Sequence, residues 1–411
     1  LPDTERGTMM NDQMHPGMAE ATRLTQQGRL DEATAAIQRA LGGAFAPAAK
    51  EDIRDTDEPI EVISRLVSET PQEPAEARRT VERRPGAAAW TIPGPTMRTR
   101  GVQLPPGMRA GKLASVSVPE GGHFVERSYA NSAGARSYKL YIPSSYSGQA
   151  VPLIVMLHGC TQNPDDFATG TRMNELSEEH TFLVAYPAQA GKANVQKCWN
   201  WFQAADQQRG RGEPSLIAGI TRQVVEEYEV AEGRVYVAGM SAGGAMAAIM
   251  GTTYPDLYAA VGVHSGLAPG SANDMSSAFT AMRQGGTVVT RRRSPDGERT
   301  EIVPTIVFHG DRDTTVHPRN GERLLDHLDI AGGQNGSSPR VRTRQGRVPG
   351  GYEYTRFTYR DAEGRDIVER WSVHGLGHAW SGGSYPGSHT DPRGPDASAE
   401  MVRFFGQHHK R

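Results

Sequence analysis

Residues 234–248 read RVYVAGMSAGGAMAA, and the reading of this stretch decides the fold. Val235 to Ala238 is a short continuous apolar run, the pattern of a strand buried on both faces. Gly239-Met240-Ser241-Ala242-Gly243 follows it, and Gly244 to Ala248 has the composition of a helix start. A G-x-S-x-G sequence between a strand and a helix is a nucleophile elbow. The turn is so tight that a side chain at either glycine would collide with a neighbouring element. Ser241 is thereby lifted clear of the sheet at the amino end of a helix, whose amide dipoles favour negative charge nearby. With 47 glycines in the chain, a chance match is the rival explanation. The strand before and the helix after set it aside.

Working outward, the same buried-strand pattern recurs at Leu153–Leu157, Phe182–Tyr186, Ala260–Val263 and Thr305–Phe308. Ser137–Ile142 instead alternates, with Tyr138, Leu140 and Ile142 on one face, as a half-buried strand does. Helical spacing appears between the strands, most clearly at Ile217, Ile220, Val224 and Tyr228. Buried strands alternating with helices indicate an α/β fold, a mostly parallel sheet with helices on both faces. Such sheets place their chemistry at the carboxyl ends of the strands.

A serine hydroxyl needs a base, usually histidine, oriented by a carboxylate, and in this fold the order is Ser, Asp or Glu, then His. After Thr305–Phe308 comes HGDRDTTV, residues 309–316, with two aspartates. Asp313 is the expected partner: it lies further into the loop, and Val316 can pin that loop. Asp311 is expected to shape the turn. The strand-like Ile367–Val373 leads to HGLGHAW, residues 374–380. His378, beyond the glycines, is expected as the base, and His374, close to the strand, as a hydrogen-bonded structural residue. Oxyanion donors are also required. The backbone amides of Ala242 and of Cys160, in Leu157-His158-Gly159-Cys160-Thr161-Gln162, fit that role. His158 reads as a core histidine bracing the loop.

The composition excludes other classes. The formal charge of −2 on 411 residues gives no reason to expect nucleic acid or an anionic membrane as partner. No apolar run approaches the roughly 18 residues that a membrane span needs, and residues 1–20 show no signal-peptide pattern. The thirteen histidines include no H-E-x-x-H and no cluster at metal-ligand spacing, so no metal site is expected. Arg291-Arg292-Arg293 reads as a solvated loop. Residues 1–110 form a segment apart from a catalytic domain at 111–411. Within it, residues 19–41 suggest a helical hairpin with Leu24, Leu30, Ala33, Ile37 and Leu41 on one face. The Pro-, Gly- and charge-rich stretch 42–108 reads as linker. Trp380, two residues from the expected base, is expected to face the cleft, with Trp199 and Trp201 as further substrate-binding candidates.

The blocks LHGCTQ (157–162), CWNWF (198–202), GMSAGG (239–244), HGDRDTTV (309–316) and GHAWSGG (377–383) occur in this order. Together they resemble the catalytic domain of the poly(3-hydroxybutyrate) depolymerase family of esterases, which is similar to feruloyl and acetylxylan esterases. The resemblance covers about residues 120–408. It implies an α/β-hydrolase fold, ester hydrolysis through an acyl-enzyme and no cofactor, with Ser241, Asp313 and His378 as triad. It also implies a disulfide between Cys160 and Cys198 beside the oxyanion loop, and an extracellular setting, with the cytoplasm as alternative. Secreted members carry a linker and a polymer-binding domain after the catalytic domain. Here only one closing helix (Asp396–His408) is expected beyond His378. The expected substrates are short-chain hydroxyalkanoate esters, polymeric or oligomeric, with a feruloyl or acetylxylan esterase as alternative. A binding protein that kept the fold and lost its chemistry is the rival outside enzymes, and the intact Ser, Asp and His argue against it. Oligomeric state is not legible in the sequence.

Overall fold

A computed structural model describes residues 118–287, 302–328, 340–361 and 363–410. The expected N-terminal hairpin, the linker and its boundary near residue 110, and the Arg291–Arg293 loop lie outside the described residues.

The chain runs β1 (His123–Asn131), β2 (Gly134–Ile142), β3 (Val151–Leu157), α1 (Pro164–Thr171), α2 (Met173–His180) and β4 (Leu183–Pro187). It continues through α3 (Gly212–Glu227), β5 (Val230–Met240), α4 (Ala242–Thr253), β6 (Ala260–His264), α5 (Met275–Gln284), β7 (Thr305–Gly310) and α6 (Arg319–His327). The last elements are β8 (Arg340–Arg347), β9 (Glu353–Arg360), β10 (Asp366–His374), the short β11 (Trp380–Ser381) and β12 (Thr390–Asp391), and α7 (Ala397–Gly406).

Ten strands make one sheet in the order β1-β2-β4-β3-β5-β6-β7-β10-β9-β8. From β4 to β10 every neighbouring pair is parallel, and antiparallel strands flank this block at both ends. Helices cover both faces, which is why the central strands read as unbroken apolar runs. In β3, Leu153, Val155 and Leu157 enter a core shared with Ile217 and Ile220 of α3 and Met246 of α4. Ile154 and Met156 enter the opposite core, with Phe167 of α1, Met173 of α2 and Met401 and Phe404 of α7. This is an α/β-hydrolase fold.

Three strands depart from the expected pattern. β1, β8 and β9 were not legible as strands, and β8 (RVRTRQGR) is exposed along most of its length. β8, at the sheet margin, is held by backbone pairing with β9 and needs no apolar face of its own, while β9 pairs with both β8 and β10 and packs Tyr354 and Tyr359 against core residues without a regular alternation. The closing helix is shorter than expected, starting after Asp396, whose carboxylate accepts from Ala399 N–H at 2.9 Å as an N-cap.

Candidate active site

β5 carries the chain straight into the elbow. Ser241 adopts φ 56°, ψ −119°, a conformation that non-glycine residues rarely hold, and forms the N-cap position of α4. Its N–H donates to His264 O at 2.9 Å, and its carbonyl accepts from Ala245 N–H at 2.9 Å. Gly243 explains the motif: a Cβ there would run into the carbonyl oxygens of Leu157 and His158. A Cβ at Gly239 would likewise meet Gly243 and Leu157. The elbow is pressed against the loop after β3, and only glycine leaves room.

Asp313 lies three residues beyond β7 and His378 four beyond β10, and β7 and β10 are parallel neighbours. Gly310 lets the two loops touch, since a Cβ there would collide with the backbone of Leu376. Arg312 N–H donates to Leu376 O at 3.0 Å. Across this seam His378 Nδ1 bonds Asp313 Oδ2 at 2.7 Å. The other oxygen, Oδ1, accepts from the amides of Thr315 at 2.9 Å and Val316 at 2.8 Å. Val316 thus pins the loop through its backbone as well as by burial. Burial works to raise the Asp313 pKa, but the hydrogen bond and charge of His378, with His309 and the Val316 amide, outweigh it and hold it below the ordinary carboxylate value. An ionised carboxylate only accepts, so Nδ1 of His378 carries a proton, and Nε2 is the nitrogen left to act as base when the ring is neutral. Among the described residues no hydrogen bond joins Ser241 Oγ to that nitrogen; such bonds tighten when substrate docks.

The other two candidates pair with each other. His374 Nδ1 bonds Asp311 Oδ2 at 3.0 Å, Asp311 Oδ1 accepts from Gly375 N–H at 2.7 Å, and His374 Nε2 meets Thr355 Oγ1 at 2.9 Å. Both ring nitrogens of His374 are occupied, and this pair staples strand ends together.

The loop after β3 faces the elbow. A Cβ on Gly159 would stand 3.6 Å from Ser241 Cβ. Gly159 N–H donates to Gln162 Oε1 at 2.9 Å, while Gln162 Nε2 donates to Asp166 Oδ2 at 2.9 Å and Ser388 O at 3.2 Å. Ser388 N–H closes the set on Asp166 Oδ1 at 2.8 Å. This network ties the loop to the segment following His378, and no local pattern in the sequence signals Asp166 or Ser388. Cys160 and Cys198 are joined by a disulfide. The Cys160 amide donates to no group among the described residues, and the Ala242 amide, first of its helix, has no intrahelical acceptor.

The tryptophan expectation is corrected. Trp199, Trp201 and Trp380 are 0%, 5% and 1% exposed. Trp199 and Trp201 pack in the core under α3 and α4. Trp380 stacks on His264, meets Phe167 edge-on and donates its Nε1–H to Ser398 Oγ at 3.0 Å. Their surfaces are taken up by packing, so none offers a face to a ligand. Among the described residues no group of His, Cys, Asp and Glu is arranged to hold a metal ion, and no helix is long and apolar enough to cross a membrane.

The chain is similar to known esterases. Poly(3-hydroxyalkanoate) depolymerase C of Paucimonas lemoignei is 32% identical over 245 residues, 58% of this chain and 57% of that protein. Feruloyl esterase B of Neurospora crassa is 30% identical over 203 residues, 46% of this chain and 67% of its own. Acetylxylan esterase A of Talaromyces purpureogenus is 27% identical over 221 residues, 51% of this chain and 56% of its own. The chain thus spans little more than half the length of the depolymerase. Among solved structures, an acetyl xylan esterase from Aspergillus awamori shares the fold, with TM-score 0.50 and 22% identity over 66% of this chain and 94% of that one. The profile of the family described as Esterase PHB depolymerase matches residues 136–343, and the chain belongs to that family.

Proposed function

We propose that the protein hydrolyses carboxylic esters of short hydroxyalkanoates, oligomeric or polymeric, through an acyl-enzyme on Ser241. The observation that carries this reading is the 2.7 Å bond from His378 to a buried, ionised Asp313, at the same carboxyl end of the parallel strands where β5 leads into Ser241. His378 Nε2 takes the Ser241 Oγ proton as the oxygen attacks the ester carbonyl. The oxyanion that forms is met by the amides of Cys160 and Ala242, each such donor being worth about 3–4 kcal/mol in the transition state. His378 then passes the proton to the departing alcohol. Water, deprotonated by the same nitrogen, releases the acid. Neither metal nor cofactor enters these steps.

For the acyl group, similarity to a hydroxyalkanoate depolymerase at 32% identity favours hydroxyacyl esters. A feruloyl or acetylxylan esterase is the second reading, favoured by relatives at 30% and 27%. A panel of p-nitrophenyl butyrate, hydroxybutyrate oligomers, amorphous polyhydroxybutyrate, methyl ferulate and acetylated xylan separates them. Hydroxybutyrate oligomers should give the highest kcat/KM, and preference for ferulate or acetylxylan would replace the first reading by the second. A phosphonate ester should label Ser241, and Ser241→Ala should lose at least about a thousandfold in kcat. Label on another serine would sink the mechanism.

A further inference from the structure

The loop that supplies the Cys160 amide is controlled from behind by a buried histidine. His158, 1% exposed, uses both ring nitrogens on the backbone. Its Nε2 accepts from the Gln189 N–H at 3.1 Å, and its Nδ1 lies 2.7 Å from Gly159 O. A carbonyl only accepts and an amide N–H only donates, so these partners require the neutral Nδ1–H tautomer. Burial drives the ring pKa down to about 4, which agrees with a neutral imidazole.

The consequence runs through one peptide plane. Gly159 C=O and Cys160 N–H belong to the same peptide unit, and no peptide bond among the described residues is cis. In a trans peptide the two bonds point in opposite directions within a rigid plane. Whatever fixes the carbonyl therefore fixes the amide. Gln162 N–H also reaches Gly159 O, but at 3.4 Å, so His158 supplies the stronger hold.

Gln189, in turn, is held by a buried carboxylate. Glu213 Oε1 accepts from Gln189 Nε2, from Asn200 Nδ2 at 2.9 Å and from Arg136 at 3.2 Å, and Oε2 accepts from Asn200 N–H at 2.7 Å. Gln189 Nε2 also donates to Cys198 O at 2.8 Å, on the far side of the disulfide. Glu213 and Arg136 are 3% and 8% exposed. An ion pair this deep contributes little net stability by itself, and its attested use is to select one geometry.

We propose that His158 is a positioning residue: locked as the Nδ1–H tautomer by Gln189, which Glu213 clamps, it aims the Cys160 amide at the reacting carbonyl oxygen. This rests on the reading of Cys160 as an oxyanion donor. Two measurements test it. In the full chain labelled with 15N-histidine, His158 should appear as the neutral Nδ1–H tautomer at pH 7; an Nε2–H ring would overturn the proposal. In steady-state assays with p-nitrophenyl butyrate, His158→Asn places an amide N–H near the position of Nδ1, whereas His158→Gln places one near Nε2. Asn should keep kcat within about fivefold, while Gln and His158→Phe should lose about a hundredfold in kcat at nearly unchanged KM, as for loss of an oxyanion donor. Glu213→Gln, which sets an NH2 or a lost charge against the donors around it, should lose about tenfold in kcat. Full activity in His158→Phe, or equal losses in Asn and Gln, would overturn the proposal. If His158→Phe does not fold, the Asn and Gln pair decides. Undiminished activity in Ser241→Ala would instead sink the reading of the site, and the tautomer measurement stands apart from that outcome.

Discussion

His378 and Asp313, 65 residues apart in sequence, meet through a single 2.7 Å hydrogen bond on a carboxylate whose other oxygen is fully used by two backbone amides. The carboxylate cannot rotate without giving up both amides, so the ring orientation is set by the β7 loop. Asp313→Asn keeps the shape but replaces an acceptor by an NH2 group or a weaker acceptor. It should lower kcat about 10³–10⁴-fold at pH 7. Asp311→Asn, on the pair that staples strand ends, should leave kcat within about threefold. Equal losses in the two variants, measured with p-nitrophenyl butyrate, would show that the pairs have been assigned to the wrong roles.

Acid should weaken the fold well before the carboxylates titrate. Burial lowers the pKa of His158 to about 4 and that of His264 to about 3, with the charges of His309 and His378 adding to the effect on His264. Burial also lowers His309. The unfolded chain protonates such residues near pH 6.5. A depressed folded pKa means that the stability from neutral burial is full above about pH 6.5 and is lost as the pH falls towards the folded values. Each such proton contributes a slope of about 1.4 kcal/mol per pH unit. Urea midpoints should therefore fall steadily from pH 6.5 to 4.5. A flat profile would show that these rings are charged or exposed in the folded protein. Asp313, also depressed, adds its loss only below about pH 4.

Gly243→Ala tests the elbow without touching a reactive atom. The new methyl group would strike the carbonyls of Leu157 and His158, which are backbone and cannot swing aside. Destabilisation of about 2–3 kcal/mol is expected, together with at least a tenfold loss of kcat, because the displaced loop carries the Cys160 amide. A variant with wild-type Tm and kcat would show that the loop has slack that the structure does not display.

The disulfide closes a span of 38 residues between the loop after β3 and the segment ahead of α3. Loop-closure entropy puts its contribution at about 3–4 kcal/mol. The double substitution Cys160→Ser with Cys198→Ser should lower stability by about that much. Peptide mapping of unreduced protein should find the two cysteines in one linked fragment; two alkylatable thiols would contradict the bond.

Trp380 separates packing from ligand contact. With its indole buried and its N–H bonded to Ser398, Trp380→Ala should cost about 3–5 kcal/mol. KM for short esters should stay within about twofold in protein that remains folded. A large rise in KM at unchanged stability would restore it to the substrate site.

The sequence alone determined the parts whose causes are local. A strand, a turn too tight for a Cβ and a helix follow one another in residues 234–253, so Ser241 could be read without any partner in view. The parallel sheet was legible as well, because strands buried on both faces need continuous apolar runs wherever they lie. Tertiary structure decided everything that depends on which distant groups meet. Asp313 and His378 were already the expected choices in HGDRD and HGLGH, but that Asp313 bonds His378, and Asp311 bonds His374, is seen only at the β7–β10 seam. Nothing in the identity of a tryptophan says whether its neighbours cover it, so the burial of Trp380 needed Phe167, His264 and Ser398 in place. The strand β8 gains its order from pairing with β9, which leaves no hydrophobic period to read. The line from Glu213 through Gln189 to His158 is likewise invisible in sequence, because hydrogen bonds join polar atoms that the fold brings together and impose no spacing along the chain.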